Sequence, residues 1–264
     1  MARRRLDAEL VRRGLAGSRA EAHAAVLAGM VIVAGIRATK PATLVAPDVS
    51  VHISGSVRRF VSRGGDKLRS GLDRFSIDPR GRDCLDAGAS TGGFTDCLLQ
   101  AGAARVIAVD VGYGQLAWGL RTDSRVTALE RTNARELVPA DLPFVPNLVV
   151  ADLSFISLRA VVPALVGVSD VRAEFLLLVK PQFEAGPTGV GNGGVVRDPA
   201  VWRRVLGEIV STCRTGGIGV MGVVPSPLLG PAGNVEFLLH GRRGVGDGAF
   251  DLDEAISEGE GLRR

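Results

Sequence analysis

Cysteine, histidine and lysine each occur only three times in this chain of 264 residues. The cysteines (Cys84, Cys97 and Cys213) have neither the spacing of a disulfide framework nor that of a zinc site. Thiols this sparse fit a reducing compartment, where they pack as small core residues, and a cytoplasmic protein is expected. The histidines (His23, His52 and His240) form no ligand motif, so no metal centre is expected. Long apolar runs are missing too. The stretch 24–36 follows arginines as a signal peptide might, but it is too short to span a bilayer, and Gly29 and Gly35 divide it into a helix end and a hairpin. Neither export nor membrane insertion is expected, and no internal repeat stands out.

What positive charge there is comes from arginine: 29 Arg stand against Lys40, Lys67 and Lys180. A lysine kept in such a chain invites a role for its compact ammonium or its movable proton. The charge is also unevenly spread. Residues 1–69 hold 13 Lys and Arg against 5 Asp and Glu, whereas the remaining 195 hold 19 against 23. A basic start joined to a mildly acidic body points to a polyanion-binding module attached to an ordinary domain.

The basic segment has the punctuation of a helix-helix-hairpin unit. Leu6, Leu10 and Val11 recur at helical spacing, and Gly14 follows as a stop. Ser18 opens a second helix with Glu21 as its capping-box partner, and Gly29 ends it. Val31 and Val33 alternate before a turn at Gly35, and Val49, Val51 and Ile53 alternate again. The ordered set Arg5-Leu6-Asp7, Leu10, Gly14, Ser18-Arg19, Ala22, Gly29 and Val31-x-Val33-x-Gly35 resembles the S4 RNA-binding domain. That resemblance implies an RNA-facing surface supplied by Arg3, Arg4, Arg5, Arg12, Arg13 and Arg19, whose planar forks suit phosphate. Residues 1–57 are assigned to this unit, 58–63 to a link, 64–243 to a larger domain and 244–264 to a Gly-, Asp- and Glu-rich tail, the one region where composition suggests disorder.

From residue 64 onward, apolar segments alternate with helical ones in a βαβ rhythm. Strands are expected near 84–86, 105–110, 126–130, 148–152, 174–179, 219–224 and 235–240, with helices near 93–100, 115–120, 158–166 and 199–213. The first strand ends in Asp86-Ala87-Gly88-Ala89-Ser90-Thr91-Gly92-Gly93-Phe94, an acid, a glycine-rich turn and a helix start. This is the arrangement of S-adenosylmethionine methyltransferases: the glycines admit the ligand, the helix N–H groups receive a carboxylate, and Asp86 faces a cationic amino group. Gly88, Ala89, Ser90, Thr91 and Gly92 form that turn. Asp110, ending the second strand, suits the two ribose hydroxyls of a nucleoside, and Asn133, after the third, suits the adenine. Gly189-x-Gly191-x-x-Gly194 matches the dinucleotide fingerprint literally, but without a preceding strand it reads as a chance match in a substrate-side loop.

Two of the three lysines join this picture. Lys180 and Asp152 fall at strand carboxyl ends, where open α/β sheets place ligands. Glu236 begins the last strand, and Lys67 lies on a leading helix. The four resemble the Lys-Asp-Lys-Glu tetrad of FtsJ/RrmJ-like ribose 2′-O-methyltransferases. The surrounding S-R-G-G-x-K-L, D-A-G-A-S-T-G-G-F-T, A-D-L-S-F-I-S-L, V-K-P-Q-F-E and G-N-V-E runs resemble the TlyA family of ribosomal RNA cytidine-2′-O-methyltransferases, once also labelled haemolysins. The resemblance implies a Rossmann-like α/β domain with a seven-stranded mixed sheet, S-adenosylmethionine as cofactor, and ribosomal RNA of one or both ribosomal subunits as partner. Lys67, Asp152, Lys180 and Glu236 become the catalytic residues it implies. Three rival readings are a membrane-acting haemolysin, for which no suitable segment is found; a catalytically inactive S4-type RNA-binding protein, against which the full tetrad argues; and an S4-bearing pseudouridine synthase, whose catalytic Arg-Leu-Asp motif has no match in the second domain.

Overall fold

The computed structural model describes residues 3–54, 59–186 and 189–263. Arg58 at the start of the expected link, Pro187 before the glycine-rich loop, and the outermost residues of both end segments lie outside that description. The chain divides into two compact units, Met1–Val57 and Arg58–Arg264.

In the first unit, β1 (Arg4–Arg5) leads directly into α1 (Leu6–Arg12), and α2 (Arg19–Leu27) follows. Gly14 takes a φ of +69°, the left-handed backbone that a helix stop needs. The Ser18 hydroxyl accepts from the Glu21 backbone N–H at 3.1 Å, while the Glu21 carboxylate accepts from Gly17 N–H at 2.7 Å, so both ends of the cap are satisfied. Next come β2 (Val31–Val33), β3 (Ile36–Arg37), β4 (Leu44–Val45) and β5 (Val51–Ile53). β2 lies between β3 and β5 in an antiparallel sheet, and β1 pairs with β4. The apolar stretch 24–36 therefore becomes a helix end and a hairpin. Leu6, Leu10, Ala22, Val26, Val31 and Val45 form the core of this unit.

The second unit begins with α3 (Arg63–Arg74), capped by Ser62, and then runs β6 (Asp83–Ala87), α4 (Gly93–Gln100), β7 (Arg105–Val109), α5 (Trp118–Arg121) and β8 (Val126–Leu129). β9 (Leu148–Ala151), α6 (Leu158–Val168), β10 (Glu174–Val179), α7 (Pro181–Glu184), α8 (Pro199–Thr215), β11 (Ile218–Pro225), β12 (Phe237–Arg243) and α9 (Leu252–Gly261) complete it. Seven strands form one sheet in the order β11-β12-β10-β9-β6-β7-β8. All neighbours from β10 to β8 are parallel, and β12 is antiparallel to both its neighbours, so the sheet is mixed. Alternate residues feed opposite faces. Leu85, Ile107, Val149 and Phe175 pack on the side of α6 and α8, while Cys84, Val106, Leu148 and Leu176 pack on the side of α3 and α4. Strands buried on both faces carry continuous apolar runs, which is why Leu148–Ala151 and Phe175–Val179 are so plain in the sequence. All three cysteines are buried, and burial pushes each thiol up to about 12, as packing residues require.

The strand order reverses between β6 and β9, the switch point where an open α/β sheet leaves a crevice at its carboxyl edge. The tail, suspected of disorder on composition, instead forms α9. Its Ala255, Ile256 and Gly259 are buried, and a Cβ at Gly259 would stand 3.1 Å from Val235. Among the described residues no helix is long and apolar enough to cross a membrane.

Candidate active site

Two cavities open along that carboxyl edge. The smaller, about 210 Å³, is lined among others by Lys67, Lys180, Asp152 and the turn residues Gly88 to Thr91. The larger, about 570 Å³, runs past Asp110, Gln115, Asn133 and Phe155. Gly88, Ser90, Asp152 and Ser154 border both. The dividing wall is tight. Gly88 has a φ of +87°, and a Cβ there would stand 2.6 Å from the Asp152 carbonyl oxygen. Gly92, with a φ of +96°, caps α4, and a Cβ there would meet Leu120 at 2.3 Å. Both positions need glycine for conformation and for space.

The turn is held by Asp110. Its carboxylate accepts from Ser90 N–H at 2.8 Å and from Gly112 N–H at 2.7 Å, which fixes the loop after β7 against the loop after β6. The loop after β8 closes on both: Thr132 N–H donates to Asp110 O at 2.9 Å and Arg131 N–H to Gly112 O at 3.0 Å. Asn133 borders the larger cavity, but its side chain is engaged at both ends. Its Oδ1 accepts from Arg135 N–H at 3.2 Å and its Nδ2 donates to Glu136 at 3.0 Å.

Asp86 lies under the turn with 0% exposure. Its Oδ2 accepts from the Thr95 hydroxyl at 2.7 Å, while Oδ1 has no partner among the described residues. Burial pushes the carboxyl up to about 7; the Thr95 hydroxyl opposes this, and the charges of Asp152 and Asp110 add to it. An unpartnered acid oxygen beneath a glycine turn suits a cationic group, and an acid bordering the larger cavity suits a vicinal diol. Thr95 is a site residue that sequence reading passed over, although it stands in the G-G-F-T run.

The tetrad forms two lysine–carboxylate pairs. Lys67 Nζ donates to Glu236 Oε2 at 2.5 Å, with both side chains buried. Lys180 Nζ lies 2.6 Å from Asp152 Oδ1, an ion pair without hydrogen-bond alignment, and donates to Ser154 Oγ at 2.9 Å. Lys67, Asp152 and Lys180 border the smaller cavity; Glu236 stands behind Lys67 and immediately precedes β12 rather than beginning it. Gly230 leaves the room Glu236 needs, since a Cβ there would stand 2.6 Å from its Oε1.

The six arginines of the first unit do not act alike. Asp7 is buried and holds Arg5 at 2.7 Å and Arg19 at 3.4 Å; Glu9, also buried, holds Arg12 at 2.6 Å and Arg13 at 2.8 Å. These hydrogen bonds hold both acids down at about 2. Arg13 is further tied to Val49 O and Pro47 O, both at 2.8 Å, so its fork is used inside the unit. Arg3 and Arg4 are exposed.

Residues 60–243 match the FtsJ-like methyltransferase family and residues 4–51 the S4 domain. Over 241 residues the chain is 54% identical to "16S/23S rRNA (cytidine-2'-O)-methyltransferase TlyA" of Mycobacterium tuberculosis, covering 90% of each chain. It is 46% identical to "Putative rRNA methyltransferase YqxC" of Bacillus subtilis, covering 89% of this chain and 84% of the relative. The solved "Putative hemolysin from Streptococcus thermophilus" superposes with a TM-score of 0.76 at 37% identity, over 99% of this chain and 97% of that one.

Proposed function

The chain belongs to the FtsJ-like methyltransferase family, in its S4-bearing branch, and from that membership we propose that it transfers a methyl group from S-adenosylmethionine to a cytidine ribose 2′-hydroxyl of ribosomal RNA. We place the reaction in the cytoplasm, on the RNA of ribosomal subunits. The observation that carries this reading is the convergence of two lysine–carboxylate pairs on one small cavity that shares the Gly88–Asp152 wall with a larger one.

The larger cavity and the turn above Asp86 fit the cofactor. Asp110 would take its ribose hydroxyls in the larger cavity; the start of α4, where Gly93 and Phe94 border the smaller one, would receive its carboxylate; and Asp86, buried beneath the turn and lining neither cavity, would act on its amino group by charge. Asn133 would serve the adenine only by giving up part of its present bonding. When bound, S-adenosylmethionine supplies a methyl group already activated by a positive sulfonium, so no metal need polarise it.

A ribose hydroxyl is a weak nucleophile at neutral pH, so the protein must align it and manage its proton. Lys180 would meet the 2′-oxygen, either taking its proton or stabilising the developing alkoxide by charge. Asp152 draws the Lys180 ammonium into place, and the Lys67–Glu236 pair borders the same space as a fixed positive centre for the ribose side. The exposed arginines of the S4 unit, Arg3 and Arg4 first among them, would hold phosphate. The test is Lys180→Ala with RNA binding and methyl transfer measured separately. Transfer should fall by about 10²- to 10⁴-fold while RNA affinity stays unchanged; a normal transfer rate refutes the assignment. Loss of one cytidine 2′-O-methyl mark in cells lacking the gene would identify the nucleotide.

A further inference from the structure

Lys180 has a second partner that the tetrad leaves out. Asp152 holds its ammonium at 2.6 Å, but the ion pair lacks hydrogen-bond alignment, so it fixes the distance and not the direction in which the N–H bonds point. Among the described residues, the one aligned hydrogen bond of Nζ goes to Ser154 Oγ, at 2.9 Å. Ser154 also borders both cavities, so this bond is made where the methyl donor and the ribose must meet.

We propose that Ser154 is a positioning residue for methyl transfer, its hydroxyl holding Lys180 Nζ at the junction of the two cavities. The proposal rests on the reading of Lys180 given above. The chemistry of the hydroxyl suits the task. It accepts from an ammonium and donates to an amine, so the bond survives whether or not Lys180 gives up a proton. An ionised carboxylate, an acceptor only, cannot follow that change. The backbone turns immediately after it. Phe155 takes a φ of +63°, a left-handed conformation uncommon for an aromatic residue, and the residue is 91% exposed. Its ring lies 5.0 Å from that of Phe183, three positions beyond Lys180, a surface contact between the segment carrying Ser154 and the segment carrying Lys180.

The experiment uses the full chain with Ser154→Ala and Ser154→Thr, measuring kcat and KM for the RNA substrate, S-adenosylmethionine binding by calorimetry, and melting temperature. Ser154 is exposed, so the alanine variant leaves the core packing intact and should melt as the parent does. Ser154→Ala should lower kcat by about 10- to 100-fold with KM and cofactor affinity within about twofold, and Ser154→Thr should restore most of the rate. In a Lys180→Ala background, Ser154→Ala should cost nothing further, because the hydroxyl acts through the amine. Parent-like kcat in Ser154→Ala, equal impairment of the alanine and threonine variants, or a change confined to KM overturns the proposal. If Lys180→Ala is inactive while Ser154→Ala is fully active, this proposal alone fails. If Lys180→Ala keeps its rate, the reading beneath it fails.

Discussion

Asp86 carries a pH dependence of its own. Its folded carboxyl titrates at about 7 against an ordinary 3.8, raised by burial. A group raised on folding adds its full stability below the unfolded value and loses it as pH climbs through the folded one. The ligand-free protein should therefore lose thermal stability between about pH 4 and about pH 7, and Asp86→Asn should flatten that decline. Asp7, Glu9 and Glu174, each held at about 2, work in the opposite sense but at lower pH, mainly below this window. Cofactor affinity should follow the reverse course, rising with pH as the carboxylate forms to meet a cationic amino group. Melting curves for parent and variant across the window check this, and an undiminished decline in Asp86→Asn would assign it to another group. At this scale the sequence singled out acids and lysines that the fold brings to one edge of the sheet, because few other residue types can do such chemistry. It did not mark Ser154 or Thr95, whose hydroxyls matter only through partners 26 and 9 residues away along the chain.

The turn joining β6 to α4 is the element on which both cavities depend. Gly88→Ala adds a Cβ at a left-handed position and within 2.6 Å of the Asp152 carbonyl. The conformational part alone costs roughly 1–2 kcal/mol, and the clash must be relieved by moving Asp152, which carries Lys180's counter-charge. The variant should keep its fold by circular dichroism yet lose cofactor binding and transfer together; parent-like binding would show that the wall is softer than its geometry implies. The seven strands were legible because buried parallel strands are continuous apolar runs between turn signals. The elements that were not legible are those whose reason lies elsewhere in the chain. β1 and β4 are two residues each, too short to show a period. α9 holds two glycines and owes its helix to packing against Val235 and Phe237, which composition cannot register.

At the scale of the whole molecule, a basic unit that binds and an α/β unit that reacts should answer to different measurements. Replacing Arg3 and Arg4 by alanine should weaken RNA binding and reduce its salt dependence by roughly one counterion for each phosphate no longer held, with cofactor affinity untouched. Arg13→Ala should instead lower the melting temperature, since it takes one partner from the buried Glu9 and leaves two backbone carbonyls without their donor. Equal effects of Arg4 and Arg13 on the salt dependence would contradict that division. The clustering of charge made the division readable before any coordinates, but not which arginines are already engaged, because their acidic partners are buried in the fold.

The scarcity of lysine has a practical consequence. Lys40 is exposed, Lys67 is closed in a buried pair and Lys180 is half-buried at the junction of the cavities. Protein labelled with nitrogen-15 in lysine alone would give three side-chain resonances in three unlike surroundings. Following the Lys180 resonance through a titration, with and without bound nucleoside, would count the hydrogens on the nitrogen proposed to meet the ribose, and so tell a base from an electrostatic clamp by direct observation.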